Sequence, residues 1–257
     1  MNKKVILILV DGMRPDAISL CGNEFVNKFV SEHVYYNDAK TVMPSITLPT
    51  QISLFQSVPP ECHGITTNTF IQSAKPINGL CDVLKKNDKR SAFFYSWEPL
   101  RDLSRPGALD RALFYKYTVK DFMLTDALLI QEAVSYIKQR EPDFLFLHLD
   151  YTDSSGHSFG YMSDTYLQTV YKVWDCIKTM YEEFSEQYTF IVTADHGGHD
   201  HTHGIDSPED MTIPIVIGIA PETKVKGEAT IMDIAPTITK IMGVNPDADW
   251  RGTSLIL

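Results

Sequence analysis

Short apolar runs alternate with longer segments of helical periodicity along the chain. The runs cover residues 4–10, 91–96, 143–150, 188–194 and 212–219. Between them, apolar residues spaced three or four apart predict amphipathic helices over residues 78–87, 125–140, 163–186 and 233–242. Runs that are apolar on both faces and separated by helices are typical of a mainly parallel sheet. The pattern therefore predicts an α/β protein, a three-layer sandwich with a central, mainly parallel sheet flanked by helices.

The helix ends and the domain organisation follow from local signals. Ser163 or Asp164 is expected to cap the third helix, and Gly243 to end the last one. Residues 97–120 have the least regular pattern, with three arginines and two tyrosines. We interpret them as an insertion over the sheet edge, either a substrate-facing cap or an irregular surface connection. With no repeat or flexible linker elsewhere, residues 1–257 are predicted to form one domain.

Composition and charge restrict the possible partners. The chain has 257 residues, 44% hydrophobic, with 23 basic and 33 acidic side chains and a formal charge of −10. A chain of this length can bury about 75% of its unfolded surface and needs no disulfide to be stable. The excess of acidic over basic side chains argues against binding to a nucleic-acid polymer, because neutralising phosphates requires clustered Lys and Arg.

The cysteines and the first apolar run bear on the cellular compartment. The four cysteines, Cys21, Cys62, Cys81 and Cys176, form no CxxC pair, which disfavours a thiolate zinc site or a disulfide framework. The run 5–10 is six residues long, too short for a signal peptide or a membrane helix. We therefore expect a cytoplasmic protein with reduced cysteines and no membrane segment.

Acidic and imidazole side chains follow three of the predicted strands. Asp11 follows the first run, Asp153 the third, and Asp195 and His196 the fourth. In open α/β sheets, sites form outside the carboxyl ends of the strands. A glycine-containing turn is expected to bring Asp153 and His157 together, and four of the eight histidines lie between residues 196 and 203.

This set of side chains predicts a metal centre. The candidate ligands are Asp11, Asp153, His157, Asp195, His196 and His203. Six groups match two ions with three protein ligands each, and imidazole with carboxylate suits zinc, with manganese or iron as alternatives. Two ions about 4 Å apart stabilise both the attacking and the leaving oxygen of a phosphoryl displacement. A small anionic phosphoester is therefore the expected substrate.

Thr47 is the candidate nucleophile. It precedes Pro49 and a predicted short helix over residues 50–56, so its oxygen would lie at a helix N-terminus, where negative charge is stabilised. A metal ion on the same oxygen would lower its pKa. Two alternatives remain open: Thr47 as a plain N-cap, and Ser45 as the nucleophile.

Six motifs in this order resemble the alkaline phosphatase superfamily, and most closely its nucleotide pyrophosphatase/phosphodiesterase family. They are V-D-G-M-R-P-D at 10–16, P-S-I-T-L-P at 44–49, P-E-C-H-G-I at 60–65 with Asn68, D-S-S-G-H at 153–157, D-H-G at 195–197 and H-G-I-D at 203–206. The segments M-D-I-A-P-T at 232–237 and G-T-S-L at 252–255 are similar to the C-terminal signature of the superfamily.

The resemblance implies roles for particular residues. It implies one zinc ion on Asp153, His157 and His203, and a second on Asp11, Thr47, Asp195 and His196. Thr47 would then be the nucleophile that forms a phosphothreonine intermediate. Asn68 would contact a non-bridging phosphoryl oxygen, with the amide of Leu48 as a second donor. A neutral amide suits a phosphodiester better than a dianionic monoester, so phosphodiesters or nucleotide pyrophosphates are the expected substrates.

Departures from the family pattern leave alternatives open. Leu48 replaces an aromatic residue that stacks on a nucleobase in the family, and His201 competes with His203 as a ligand. The Cys/Ser-x-Pro-x-Arg motif of sulfatases is absent. The cofactor-independent phosphoglycerate mutase branch of the superfamily uses a serine nucleophile and has a large inserted domain, for which 257 residues leave little room. A phosphomonoesterase, a phosphonate hydrolase and a non-catalytic metal-binding module remain as alternatives, and the sequence does not give the oligomeric state.

Overall fold

A seven-stranded sheet forms the centre of the molecule. The structure is a computed structural model and describes residues 4–72, 76–116 and 122–257. Its strands are β1 (Lys4–Val10), β2 (Val34–Lys40), β3 (Ser91–Tyr95), β4 (Arg111–Phe114), β5 (Phe144–Leu149), β6 (Tyr188–Thr193) and β7 (Thr212–Ile217), in the order β2-β7-β6-β1-β5-β3-β4. Among these strands, β7 is antiparallel to both its neighbours, β2 and β6, and the other four pairings are parallel. The prediction of a mainly parallel sheet is confirmed.

Helices cover both faces of this sheet. They are α1 (Pro15–Leu20), α2 (Glu24–Glu32), α3 (Thr47–Gln56), α4 (Pro60–His63), α5 (Leu80–Lys86), α6 (Phe122–Arg140), α7 (Tyr151–Phe159), α8 (Asp164–Phe184), α9 (Pro208–Met211) and α10 (Ile234–Met242). Helices α1, α2, α6 and α7 pack against α8, whereas α4, α5 and α10 pack against α3. Two helix groups on either side of one sheet make the predicted three-layer sandwich.

The strongly apolar elements lie where the sequence predicts them. The five predicted runs are β1, β3, β5, β6 and β7, and the four predicted helices are α5, α6, α8 and α10. Residues 5–10 are completely buried because helices cover β1 on both faces. The Ser163 side chain caps α8 by accepting a hydrogen bond from the Tyr166 amide, and Gly243 ends α10 with a φ of 70°.

Three parts of the structure differ from the sequence prediction. The edge strands β2 and β4 have exposed positions and lack the apolar runs by which the other strands were identified. The Asp153–His157 segment lies in helix α7, so the prediction of a turn was wrong. Residues 97–116 form a 3-10 helix (Glu98–Leu103) and β4, which extends the sheet edge. Residues 117–120 lie outside the described residues, and a cap role for 97–120 stays a prediction.

A search of the described ranges for membrane-spanning segments was negative: none of their helices combines the necessary length and apolarity.

Candidate two-metal active site

The carboxyl ends of the three central strands deliver the candidate side chains to one rim. Strand β1 lies between β5 and β6 in parallel register. Asp11 follows β1, Asp150 follows β5, and Asp195 lies just beyond β6. The structure therefore brings together at one rim residues that are up to 184 positions apart in the sequence.

The first cluster contains Asp153, His157 and His203. Potential ligand atoms of these three side chains all lie within 4.8 Å of one another. Helix α7 places Asp153 and His157 one turn apart, with Oδ2 and Nε2 separated by 3.3 Å. His203 reaches the same carboxylate from the loop after β6, with its Nε2 3.7 Å from Asp153 Oδ1.

The second cluster contains Asp11, Asp195 and His196, and it is almost entirely buried. The Nε2 of His196 lies 3.3 Å from Asp11 Oδ1 and 3.4 Å from the hydroxyl oxygen of Thr47. The two clusters adjoin, because the rings of His196 and His203 stack with centroids 3.7 Å apart. The six Asp and His ligands expected from the sequence therefore lie in two adjoining groups, and the hydroxyl of Thr47, the seventh expected ligand, contacts the second. A third group of potential ligands shares Asp11 and adds His148 and Asp150.

Hydrogen bonds fix the orientation of all three imidazoles. The Nδ1 of His157 contacts the carbonyl of His201 at 2.8 Å, that of His196 the carbonyl of Gly197 at 2.8 Å, and that of His203 the carbonyl of Ser45 at 3.0 Å. A carbonyl only accepts, so each Nδ1 carries the hydrogen and each Nε2 of a neutral ring presents a lone pair. Such contacts are typical of metal-binding histidines.

The carboxylate of Asp11 has one free oxygen. His148 is completely buried and donates from Nε2 to Asp11 Oδ2 at 3.0 Å. Asp11 Oδ1 is also buried and has no hydrogen-bond partner. A buried carboxylate oxygen that has no hydrogen bond and lies 3.3 Å from an imidazole nitrogen is a place where a cation would be stabilised, so the second cluster fits a divalent metal ion.

The electrostatics of the metal-free clusters also favour a cation. Burial disfavours a charged His196, but Asp195 and Asp11 outweigh it and raise the pKa of His196 to about 10. A hydrogen bond with Asp153 raises the pKa of His157 to about 9. Burial, together with the charge of Asp11, raises the pKa of Asp195 to about 7. In the absence of a metal ion, protons on His157 and His196 therefore offset part of the negative charge of the site.

Thr47 lies at the first position of α3 and is 7% exposed. The N-cap of this helix is Ile46, so the interpretation of Thr47 as a plain N-cap is wrong. The rival Ser45 is fully buried, and its hydroxyl donates to the carbonyl of Ile205 at 3.0 Å. Of the two hydroxyls, that of Thr47 is the one that contacts the second cluster.

The amide of Leu48 is paired differently from the expectation. It donates to Asn68 Oδ1 at 3.0 Å. This bond assigns the carboxamide oxygen of Asn68 to the Leu48 amide, so the Nδ2 group of Asn68 is left as a donor for another partner. The Leu48 side chain is completely buried, so it does not take over the stacking role of the aromatic residue.

Several supporting residues were not identified from the sequence. Asp210 is completely buried, and its Oδ2 accepts the amides of Gly204 and Ile205 at 2.7 and 3.0 Å. Gln51 donates to Asp195 Oδ2 at 3.0 Å. The Nδ1 of His201 contacts the carbonyl of His157 at 3.1 Å, and His201 is outside the cluster to which His203 belongs. The Gln51 and His201 contacts join distant segments, whereas the Asp210 contacts close a loop of five or six residues. No local sequence pattern signals any of them.

Two family models match the chain. The model described as type I phosphodiesterase/nucleotide pyrophosphatase matches residues 5–102. The model described as metalloenzyme superfamily matches residues 112–246, more than half of the chain.

The chain is similar in sequence to a curated protein and in fold to two solved structures. Human ectonucleotide pyrophosphatase/phosphodiesterase family member 1 is 23% identical over 75% of this chain and 23% of its own length. The structure of murine ectonucleotide pyrophosphatase/phosphodiesterase 5 has a TM-score of 0.76 at 15% identity, covering 99% of this chain and all of that chain. A phosphonate monoester hydrolase from Silicibacter pomeroyi has a TM-score of 0.73 at 13% identity, covering 98% of this chain and 75% of that one.

The chain spans only 23–28% of the length of three curated relatives that it matches. The two family models and the metal-binding clusters nevertheless both indicate a metalloenzyme. The chain belongs to the metalloenzyme superfamily of alkaline-phosphatase-like proteins and is related within it to the nucleotide pyrophosphatases/phosphodiesterases.

Proposed function

We propose that this protein is a two-metal phosphodiesterase that uses Thr47 as its nucleophile. The observation that carries the proposal is the position of the Thr47 hydroxyl, 3.4 Å from His196 Nε2 and beside two adjoining groups of metal-binding side chains. The donor set favours zinc, with manganese as the alternative. Two bound divalent ions would supply Lewis acidity and would stabilise the charge that develops on the phosphoryl oxygens.

The position of Thr47 suits attack on phosphorus. Its oxygen lies at the N-terminal end of α3, where the helix dipole favours negative charge. In the first step, Thr47 Oγ1 forms the new bond to phosphorus and the bond to the leaving alkoxide or phosphate breaks. Water then hydrolyses the phosphothreonine ester and regenerates the hydroxyl. A structure of the murine relative described as an inactive threonine-to-alanine variant in complex with AMP supports this assignment.

Asn68 provides the argument for diesters. Its carboxamide oxygen is held by the Leu48 amide, which leaves the Nδ2 amide to donate to a non-bridging phosphoryl oxygen. A neutral donor is sufficient for a phosphodiester, which carries one negative charge, whereas a dianionic monoester favours an additional cation. Small phosphodiesters or pyrophosphates are therefore the proposed substrates. Because Leu48 is buried, a nucleobase would have to be recognised by other residues.

The cysteines and the net charge bear on the compartment and the partners. All four cysteines are unpaired in the structure, which supports a reducing environment such as the cytoplasm. The formal charge of −10 supports a small phosphoester over a nucleic-acid polymer as the substrate.

The substrate class is tested by comparing three chromogenic esters with added zinc or manganese. They are bis-p-nitrophenyl phosphate, the p-nitrophenyl ester of thymidine monophosphate and p-nitrophenyl phosphate. We expect the two diesters to be cleaved faster than the monoester, with Thr47→Ala inactive on all three. Faster cleavage of the monoester would instead identify a phosphomonoesterase. Metal binding without hydrolysis of any of the three esters would favour a non-catalytic metal-binding module.

A further inference from the structure

The ring of Tyr161 fills a slot between two glycines of the metal-binding motifs. A Cβ atom on Gly156, in helix α7, would lie 2.6 Å from Tyr161 Cζ, and one on Gly198, after β6, would lie 2.3 Å from it. Neither position therefore tolerates a side chain without moving the ring. Tyr161 is only 7% exposed, and its amide donates to the carbonyl of Asp200 at 2.7 Å. It thus joins the segment that carries His157 to the loop that carries His203.

The hydroxyl of Tyr161 is directed at the first cluster. It donates a hydrogen bond to Asp153 Oδ1. The backbone of Gly12 closes off the same oxygen, because a Cβ atom there would lie 2.9 Å from Asp153 Oδ1. The other oxygen, Oδ2, faces His157 Nε2 at 3.3 Å. The two oxygens of this carboxylate therefore have different surroundings. Oδ1 accepts from the Tyr161 hydroxyl and lies 3.7 Å from His203 Nε2, whereas Oδ2 lies nearer to an imidazole, 3.3 Å from His157 Nε2.

We propose that Tyr161 is a positioning residue that occupies Oδ1 of Asp153, so that this carboxylate binds a metal ion through Oδ2 alone. The inference rests on the metal sites of the proposed function. Catalytic zinc sites combine three protein ligands with one open position. A carboxylate that used both oxygens would take up this position. By engaging Oδ1, the phenol keeps the position available for a substrate oxygen and fixes the orientation of Asp153.

The test is a zinc titration of the full chain against a chromophoric chelator. The variant Tyr161→Phe keeps the ring between the glycines and removes only the hydroxyl. We expect two zinc ions to bind to the wild type, and one of the two affinities to fall by about 10- to 100-fold in the variant, the usual effect of losing a hydrogen bond to a metal ligand. The zinc affinity of the second cluster should change little, because that cluster has its own supporting contacts.

Tyr188→Phe is the matched control. Tyr188 is also buried, but its hydroxyl donates to the carbonyl of Pro142 at 2.9 Å, at the opposite end of the sheet from the clusters. This variant should bind both zinc ions with wild-type affinity. A second test variant, Gly156→Ala, keeps the hydroxyl but displaces the ring, and it should weaken the same zinc site as Tyr161→Phe. Circular dichroism of the metal-free proteins checks that each variant is folded.

The outcomes separate this inference from the proposed function. If the wild type binds no zinc or manganese, the two-metal function itself is wrong. If the wild type binds two ions and folded Tyr161→Phe binds both equally well, only the role of Tyr161 is refuted. An equal loss in Tyr188→Phe would also refute it, since the effect would then arise from removing any buried phenol.

Discussion

Replacing Asp210 with alanine should both destabilise the protein and weaken its metal binding. The buried carboxylate accepts the amides of Gly204 and Ile205 through Oδ2 and contacts His199 Nδ1 through Oδ1 at 2.7 Å. These contacts hold the loop that carries His203. Alanine leaves both amides without their acceptor and removes the partner of His199.

The size of the effect follows from these contacts. A buried amide that loses its acceptor costs about 1–3 kcal/mol. Residue Ile205 is exposed, so water can replace part of what is lost at its amide. We therefore expect the free energy of unfolding to fall by roughly 2–4 kcal/mol, which lowers the Tm by about 5–15 °C for a chain of this size. In Asp210→Asn, the carboxamide oxygen can accept both amides, so the loss should stay near 1 kcal/mol.

Urea unfolding of the metal-free protein measures this loss, and zinc titration measures its effect on the site. Asp206→Ala is the control, because Asp206 is an exposed carboxylate in the same loop. Wild-type stability and zinc affinity in Asp210→Ala would refute the reasoning, as would an equal loss in Asp206→Ala.

Burial raises the pKa of Asp210, but His199 and the two amides outweigh it and lower that pKa. The stabilisation should therefore persist at neutral pH and disappear only in acid, as the pH falls through the lowered pKa.

Three further predictions concern the metal centre. Thr47→Ala should lose diester hydrolysis by about 10³-fold or more, whereas Thr47→Ser should keep measurable activity. His203→Ala should lose one zinc ion and His201→Ala neither, which equilibrium dialysis can measure. Zinc binding at pH 7 should release about two protons, because the metal-free pKa values of His157 and His196 are about 9 and 10. Calorimetry in two buffers of different ionisation enthalpy measures this release, and zinc affinity should increase as the pH rises from 6 to 8. Release of no protons, zinc loss in His201→Ala or full hydrolysis by Thr47→Ala would each contradict the assignments.

The sequence predicts those strands in which nearly every residue is buried. Strands β1, β5 and β6 are apolar on both faces, and their pattern alone places Asp11 and Asp195 at the same rim. Helix α7 was missed because Ser-Ser-Gly has low helix propensity. In the folded protein, packing against α8 and α6 stabilises this helix. Tertiary contacts thus override a weak local preference.

The supporting contacts of the site were not predictable from local pattern. Tyr161, His148 and Asp210 act through partners brought together by the fold, such as His148 with Asp11 across 137 positions. From the sequence, the glycine at 156 is expected to serve a turn, and the one at 198 has no expected role. In the structure, both are required by the close approach of the Tyr161 ring. Residue types alone do not distinguish these two reasons for a glycine.

The central claim is that Thr47 attacks phosphorus at a two-metal site. Its most direct test is to quench the zinc-loaded enzyme with acid during turnover of bis-p-nitrophenyl phosphate and to map the peptides by mass spectrometry. We predict a phosphoryl ester on Thr47, absent from Thr47→Ala and from protein treated with a chelator. Rapid hydrolysis with an adduct on another residue, or undiminished hydrolysis by Thr47→Ala, would contradict the claim.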